Sequence, residues 1–166
     1  MRWVVCGLVA LMCVTGGCGA YSTSSRTAKD IKSIAVPFFE NRTPEPNLEI
    51  IITEGIIDQL VADNTLKVKD EDAADAVLEG AIVGFQNVPF SFNQDLNAEE
   101  YHVTVTVNVT LYDRKVNENI WANKVIRGNG SYFVDVPDQG GTYETALSDA
   151  LKEITDRILN LTVQDW

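Results

Sequence analysis

The clearest pattern along the chain is an alternation of apolar and polar side chains over residues 100–113. Every second residue from Tyr101 to Leu111 is apolar. The residues between them are polar: His102, Thr104, Thr106, Asn108 and Thr110. A period of two predicts an antiparallel strand with one buried and one polar face. Residues 120–134 follow a polar turn, and we predict that they return as the partner strand.

Runs of β-branched and apolar residues predict three further strands. The first is Ser33–Phe39. Because proline cannot donate a hydrogen bond to a neighbouring strand, Pro37 indicates either that this strand lies at a sheet edge or that the proline lies late in the strand. Residues 66–68 predict a short second strand. The third covers residues 76–88, where Gly80 and Gly84 indicate a β-bulge or a close approach of another part of the chain.

Two amphipathic segments predict helices. Asn47 is placed to cap the first, and the second follows a loop at residues 137–141. The apolar residues at helical spacing are Leu48, Ile51, Ile52, Ile56 and Leu60 in the first, and Leu147, Ala150, Leu151, Ile154, Ile158 and Leu161 in the second. The order β-α-β-β-β-β-α predicts an α+β fold of two layers. Two helices would pack on one face of a mixed, mostly antiparallel sheet of four to five strands.

The first 17 residues have the pattern of a lipoprotein signal peptide. Residues 3–14 carry no charge, and such a run has the length of a signal sequence but is too short to span a bilayer. It leads into Val14-Thr15-Gly16-Gly17-Cys18, which resembles a bacterial lipobox with threonine in a position where leucine is usual. Cys18 would then begin the mature chain and carry lipid. The alternatives are a plain secretory signal or an N-terminal core helix, with Cys18 incidental.

Cysteine usage favours the lipid anchor. The chain has three cysteines, and removal of residues 1–17 leaves Cys18 alone, so the exported chain cannot form an internal disulfide. Because Gly19 and not an aspartate follows, resemblance to sorted lipoproteins places the anchor in the outer membrane, facing the periplasm. Residues 18–32 would form the lipidated N-terminus and tether. Residues 33–166 would form a single domain.

The charge balance excludes some classes of partner. The 166 residues carry 24 acidic and 13 basic side chains, a net charge of −11, and removal of Arg2 with the signal peptide makes it −12. Such an acid excess opposes binding to nucleic acid, and broad binding to anionic membrane faces, because both need clustered lysine and arginine.

The search for catalytic chemistry identifies little. His102 is the single histidine, so a zinc site of the ordinary type and a Cys-His pair are excluded. A hydrolase using His102 is a less favoured hypothesis, because no nucleophile-elbow pattern accompanies it. The acidic run Asp70–Asp75 lacks the glycine and terminal glutamate of an EF-hand loop, and Gly128-Asn129-Gly130 lies within a predicted strand, unlike a phosphate-binding loop. We therefore predict a protein that is not an enzyme, with no cofactor and no metal.

Several segments carry a family resemblance through their order and spacing. They are Cys18-Gly19 with Tyr21 close behind, Ile34-Ala35-Val36-Pro37-Phe38-Phe39-Glu40-Asn41-Arg42-Thr43, Ala74-Asp75-Ala76-Val77-Leu78-Glu79-Gly80, Val105-Thr106-Val107-Asn108-Val109-Thr110-Leu111-Tyr112-Asp113, Ile120-Trp121, and a terminal amphipathic helix ending near Trp166. Together they resemble the LPS-assembly lipoprotein family, LptE. One departure is Ala20, which separates Gly19 from the aromatic residue.

The resemblance implies a role in lipopolysaccharide delivery. It implies an outer-membrane lipoprotein that plugs the lumen of the β-barrel LptD, helps that barrel assemble, and assists delivery of lipopolysaccharide to the outer leaflet. The polar strand face of Thr104, Thr106, Asn108 and Thr110 suits a hydrated barrel lumen, although such a face can also simply meet water.

Direct contact with lipopolysaccharide, which is anionic, would have to be local and basic, or bridged by divalent cations, in a chain this acidic. The basic candidates are Arg114, Lys115, Lys124 and Arg127, each of which can equally be an ordinary surface charge.

The opening segment also resembles a second class. Ile34–Phe38 followed by Asn41-Arg42-Thr43 looks like the first strand of periplasmic modules related to the N-terminal domain of TolB and of lipoprotein activators of cell-wall synthases. In that alternative, the domain regulates a peptidoglycan enzyme by docking. The long strand at residues 103–111 and Ile120-Trp121 fit the first family better.

Overall fold

A mixed sheet with two helices packed on one face forms the fold, as the sequence pattern predicts. The computed structural model describes residues 31–134 and 141–163. The strands are β1 (Ser33–Ala35), β2 (Glu40–Asn41), β3 (Lys67–Val68), β4 (Ala76–Phe92), β5 (Ala98–Asp113) and β6 (Glu118–Phe133), and the helices are α1 (Leu48–Asp63) and α2 (Tyr143–Val163). A 3-10 helix at Glu71–Ala73 leads into β4. The sheet has six strands, one more than the upper number predicted. The extra strand is β2, whose two residues are too few to leave a pattern in the sequence.

The sheet is mixed, and its first strand lies in the interior of the sheet. The strands lie in the order β3-β1-β4-β5-β6, with β2 also paired to β4. The pairings of β1 with β3 and β4 are parallel, whereas β4, β5 and β6 are antiparallel. The predicted strand Ser33–Phe39 is too long, because β1 ends at Ala35. Of the two alternatives for Pro37, the sheet edge is wrong because β1 lies between two neighbours, whereas a position near the end of the strand agrees with the structure. Pro37 lacks the N–H that a longer interior strand would need.

Both glycines of β4 have the roles that the sequence indicates. The pairing of β4 with β5 shifts between Ile82 and Gly84, which is a bulge. At Gly80, an added Cβ would lie 2.2 Å from the ring of Phe39, so the aromatic side chain packs directly on the strand backbone. Beyond the bulge, the alternate residues of β4 that face the helices change from even to odd numbers.

The core lies between the helices and one face of the sheet. β5 contributes the alternate residues 103–111, as predicted, and they meet residues of both helices in one cluster. The predicted helix stripes need correction. Ile51 is 45% exposed, because α1 turns Leu48, Ile52, Ile56 and Leu60 inward at intervals of four. Leu147 and Leu161 are half-buried, whereas Ala146 is fully buried.

Asn47 occupies the N-cap position of α1, as predicted, but the expected side-chain cap is wrong. Asn47 precedes α1 but has a left-handed backbone (φ 65°), and its side chain makes no capping hydrogen bond. Its carbonyl oxygen accepts the N–H of Ile51 at 3.2 Å. Asparagine suits this site because it tolerates positive φ.

Helix α2 lies unusually close to β6. A Cβ added at Gly128 would lie 1.8 Å from the carbonyl oxygen of Ala150, and one at Gly130 would lie 1.9 Å from that of Ala146. Glu153 of the same helix accepts the backbone N–H of Asn129 at 2.8 Å. These contacts fix α2 against the outer strand of the sheet.

Candidate functional site

The face of the sheet opposite the helices is the largest candidate surface, and we call it the open face. It is defined by Thr104, Thr106, Asn108 and Thr110 of β5 with the neighbours that the strand register puts beside them. On β4 these neighbours are Glu79, Ala81, Gly84 and Gln86, and on β6 they are Val125, Arg127 and Asn129. All four β5 residues are half-buried, and neither α1 nor α2 covers them. The predicted polar face thus exists as a continuous surface across three strands.

Short side chains hold one another in place on the open face. The hydroxyl of Thr104 donates to Oδ1 of Asn129 at 3.1 Å, and the hydroxyl of Thr110 accepts the N–H of Asn123 at 3.2 Å. Hydroxyl and amide groups of this kind can still donate and accept further hydrogen bonds. The arrangement therefore gives a polar surface of short side chains with little side-chain freedom to lose on docking.

The open face is nearly neutral although the chain is strongly acidic. Among the residues that define it, Glu79 and Arg127 carry opposite charges. At its margin, Glu40 and Arg42 form an exposed ion pair at 2.5 Å, and this hydrogen bond lowers the pKa of Glu40. Part of the acid excess lies in the helical layer, and another part lies in the loops and strand ends, as at Asp70, Glu71 and Asp72. Helix α1 alone carries four carboxylates and no basic residue.

Two of the predicted basic contact residues belong to the β5–β6 turn. The Arg114 guanidinium donates to the backbone carbonyl of Glu71, the first residue of the 3-10 helix. The ammonium of Lys115 lies 3.0 Å from Oδ1 of Asp75. Two interactions do most to lower the pKa of Asp75 to about 2. The larger effect comes from the hydrogen bond donated by the backbone N–H of Lys32, and the next from this pairing with Lys115. Both basic residues thus hold the loop that leads into β4.

The other two basic candidates lie on β6, on opposite faces of the sheet. Arg127 is opposite Thr106 and is exposed on the open face, whereas Lys124 is opposite the core residue Val109. Three positions separate them, and an odd separation along a strand reverses the direction of the side chain. The structure therefore does not bring the four basic candidates together, and Arg127 alone lies on the open face.

His102 lies near the far end of the open face from the β5–β6 turn. Its ring stacks on Phe90 with centroids 3.8 Å apart, and Nε2 lies 3.3 Å from a carboxylate oxygen of Glu100. Ser131 is its neighbour in the strand register, but within the described residues no hydrogen bond joins the two side chains. The imidazole therefore has a packing partner and a carboxylate partner, and in the described part of the chain no serine hydroxyl is hydrogen-bonded to it.

The acidic run Asp70–Asp75 is not arranged as a cation site. Asp75 accepts the N–H groups of Lys32 and Ser33 at 2.9 and 3.1 Å, besides its pairing with lysine. Over residues 31–134 and 141–163, no three acidic, histidine or cysteine side chains come close enough to share a metal ion.

A second candidate surface, the lysine groove, was not predicted. It is a depression beside the first residues of β1, lined by Lys32, Lys67, Lys69 and Lys115 together with Ser33, Asn64, Thr65 and Asp75. Parallel pairing of β1 with β3 sets Ser33 beside Lys67. The N–H of Lys67 donates to the carbonyl oxygen of Lys32, so the two lysines are neighbours. The alternation of Lys67 and Lys69 around Val68 was the available sequence signal, but their proximity to Lys32 depends on the strand pairing.

Comparison with known structures shows the same fold in several bacterial proteins. An uncharacterized lipoprotein B from Nitrosomonas europaea is 15% identical with a TM-score of 0.55, covering 81% of this chain and 86% of that one. The rare lipoprotein B from Shewanella oneidensis is 16% identical with a TM-score of 0.50, covering 79% and 95%. A hypothetical protein from Chlamydia trachomatis is 14% identical with a TM-score of 0.56, covering 80% and 98%. At these identities the likeness concerns the fold.

Sequence comparison identifies the family. None of the curated protein sequences matches this chain. In the part of the chain that the structure describes, no helix has the length and apolar character needed to cross a membrane. A family model described as LptE, lipopolysaccharide-assembly, matches residues 31–162, which is most of the chain. The chain therefore belongs to the LptE family of lipopolysaccharide-assembly lipoproteins.

Proposed function

We propose that this chain is an outer-membrane lipoprotein, acylated at Cys18, that plugs and helps assemble the LptD β-barrel and so assists lipopolysaccharide delivery to the outer leaflet. The role is structural, without catalysis or a cofactor. Cys18 and the other residues before Ile31 lie outside the described part of the chain, so the anchor rests on the lipobox pattern. Membership in the LptE family supports a role in lipopolysaccharide assembly.

The observation that carries the plug role is the near-neutral open face. The lumen of a large membrane barrel is polar, and a plug must meet it without burying unpaired charge. Thr104, Thr106 and Asn108 offer hydroxyl and amide groups that can exchange hydrogen bonds with such a wall. An ordinary water-facing surface of this acidic chain would be expected to carry a share of the acid excess. Here the residues that define the open face carry one acid and one base, Glu79 and Arg127, whereas α1 alone carries four carboxylates.

Arg127 is the basic residue that we assign to local lipopolysaccharide contact. It is exposed on the open face beside Thr106, whereas Lys124 lies on the other side of the sheet. A guanidinium can donate two parallel hydrogen bonds to one phosphate group, so a single arginine can make a specific local contact. Arg114 and Lys115 already bind loop atoms, so we give them a structural role.

Site-specific photocrosslinking in cells tests the proposal. A photoreactive amino acid at Thr106 should form adducts with a large outer-membrane β-barrel. The same amino acid at Lys152, which is exposed on α2, is the matched control and should form few adducts with that barrel. Equal adducts at both positions would contradict docking through the open face. Recovery of a cell-wall synthase in place of the barrel would support the regulatory alternative and refute the plug.

The anchor has a separate test. Cys18→Ser should abolish fatty-acid labelling and release the protein from membranes. Labelling that persists in this variant would show that the lipobox assignment is wrong.

A further inference from the structure

We propose that the lysine groove docks on anionic phospholipid headgroups of the membrane leaflet that holds the Cys18 anchor, and thereby orients the domain on that membrane. This inference rests on the proposed lipid anchor. It concerns a surface on a different part of the sheet from the open face, and a ligand other than the lipopolysaccharide cargo.

The first argument is the clustering of positive charge in an acidic protein. The described residues contain ten lysine and arginine side chains, and four of them line the groove. Asp75 is the acidic residue in the lining, and Lys115 already pairs with it at 3.0 Å. The groove therefore carries a local positive excess, whereas the chain as a whole carries −11.

The second argument is where the chain enters the fold. The first strand, β1, begins at Ser33, directly after groove residue Lys32. Thirteen residues separate Cys18 from Lys32, and a fully extended segment of that length spans at most about 50 Å. The segment also contains Arg26 and Lys29 against Asp30, so its charge favours the same surface. An anchor at Cys18 keeps the groove within reach of the bilayer.

The third argument is electrostatic range. Basic side chains gain energy from an anionic bilayer only within about 8 Å of its surface at physiological salt. Asp63 directly precedes groove residue Asn64, but the other three carboxylates of α1 lie farther back along the helix and are repelled by the same surface. Favourable docking therefore requires one orientation, with the groove toward the headgroups. Because β4 and β5 run about 50 Å, the hairpin loop at Asn93–Asn97 would then lie far from the membrane.

Depth measurements on the full lipidated chain test the proposal. Because Cys18 carries lipid, an introduced cysteine supplies the thiol for labelling in the mature chain. A fluorophore is therefore attached at Thr65→Cys in the groove or at Gln94→Cys in the hairpin loop. The protein is reconstituted into vesicles of phosphatidylethanolamine alone, or with about a quarter phosphatidylglycerol, each containing a headgroup quencher. We expect quenching at Thr65 to be several-fold stronger in the anionic vesicles and to weaken at high salt, with little quenching at Gln94 in either.

Matched variants separate the groove from net charge. Lys32→Gln, Lys67→Gln and Lys69→Gln together should reduce the quenching at Thr65 to the level in neutral vesicles. Lys124→Gln, Lys152→Gln and Arg157→Gln together remove the same charge elsewhere and should leave it unchanged. Lys115 is kept in both sets because its pairing with Asp75 supports the fold.

Three outcomes would overturn the docking. Equal quenching in neutral and anionic vesicles would show that headgroup charge plays no part. Loss of quenching with inorganic phosphate, but not with sodium chloride of equal ionic strength, would identify a site for free phosphate. Equal effects of the two variant sets would show that only net charge matters. By contrast, a chain that fails to sediment with any vesicle would refute the lipid anchor of the proposed function, and the docking with it.

Discussion

Substitution of Gly128 by alanine tests the packing of α2 on the sheet. The added Cβ would lie 1.8 Å from the carbonyl oxygen of Ala150 and 2.8 Å from Cγ1 of Ile154. Contacts below 3.0 Å are essentially never seen for a real Cβ, so helix and strand must separate by at least about 1.2 Å. The obstacle is helix backbone, and a rotamer change cannot relieve it.

The size of the effect follows from the area that this separation disturbs. A radial gap of 0.5–1 Å already removes about a quarter to a half of a van der Waals contact, and fully buried Ala146, Ala150 and Ile154 all lie along this seam. Overpacking of a well-packed core costs about 1–3 kcal/mol, and backbone shifts belong at the upper end. We expect the free energy of unfolding to fall by about 3 kcal/mol, which lowers Tm by about 6–12 °C in a domain of this size.

Urea unfolding followed by circular dichroism on the Cys18→Ser chain measures this change. Gly84→Ala is the matched control, because its Cβ would lie 3.3 Å from Cβ of Thr106, and a shift of a few tenths of an ångström relieves that contact. Removal of a strand glycine should by itself stabilise slightly, by up to about 1 kcal/mol, since alanine restricts the unfolded chain. The expected loss at Gly128 therefore has the opposite sign. If Gly128→Ala is as stable as Gly84→Ala, α2 does not contact β6 as described.

Two further substitutions have effects of predictable size. The pKa of Asp75 is lowered from 3.8 to about 2, so its charge stabilises the fold above pH 4 and this contribution is lost as the pH falls toward 2; Asp75→Asn should cost up to about 2 kcal/mol at pH 7. In pH-dependent urea unfolding, the difference from the parent chain should disappear by about pH 2, and a constant difference would contradict the charge argument. Phe39→Ala removes a buried ring from the backbone of Gly80 and should cost about 3–5 kcal/mol in thermal unfolding, whereas Phe38→Ala, at a position 71% exposed, should cost less than about 0.5. Equal losses at the two phenylalanines would show that the packing on Gly80 is misassigned.

The Asn41-Arg42-Thr43 segment of the family resemblance turns out to organise a loop. Oδ1 of Asn41 accepts both the N–H and the hydroxyl of Thr43, at 3.0 and 2.9 Å. Its Nδ2 donates to the carbonyl of Glu45 and to the carboxylate of Glu49, at 2.7 and 2.8 Å. One side chain thus ties the turn after β2 to the first turn of α1. The segment therefore supports the fold, and its shared appearance in two kinds of periplasmic module is not by itself evidence of function.

Sequence by itself determined the class of the fold and the two faces of β5. Side-chain direction in a strand alternates with a period of two, so the apolar set 103–111 and the polar set 104–110 were separable without coordinates. The helical periods of α1 and α2 were likewise local properties, although the exposure of Ile51 shows that they leave the rotation of the helix open by one residue. The same parity rule places Lys124 and Arg127 on opposite faces, a consequence of their spacing that the grouping of basic candidates overlooked.

Only the tertiary structure decided which distant residues meet. No local pattern reveals that Gly128 and Gly130 admit the backbone of α2, because the need for glycine comes from a partner about 20 residues away. The lysine groove depends on parallel pairing of β1 with β3, which joins Lys32 to a residue 35 positions later in the chain. The makeup of the open face arises in the same way, because the register of three strands sets Glu79 of β4 and Arg127 of β6 on one surface beside the polar residues of β5. Periodicity is set by the chain itself, whereas these surfaces are set by pairing energies between segments that are far apart in sequence.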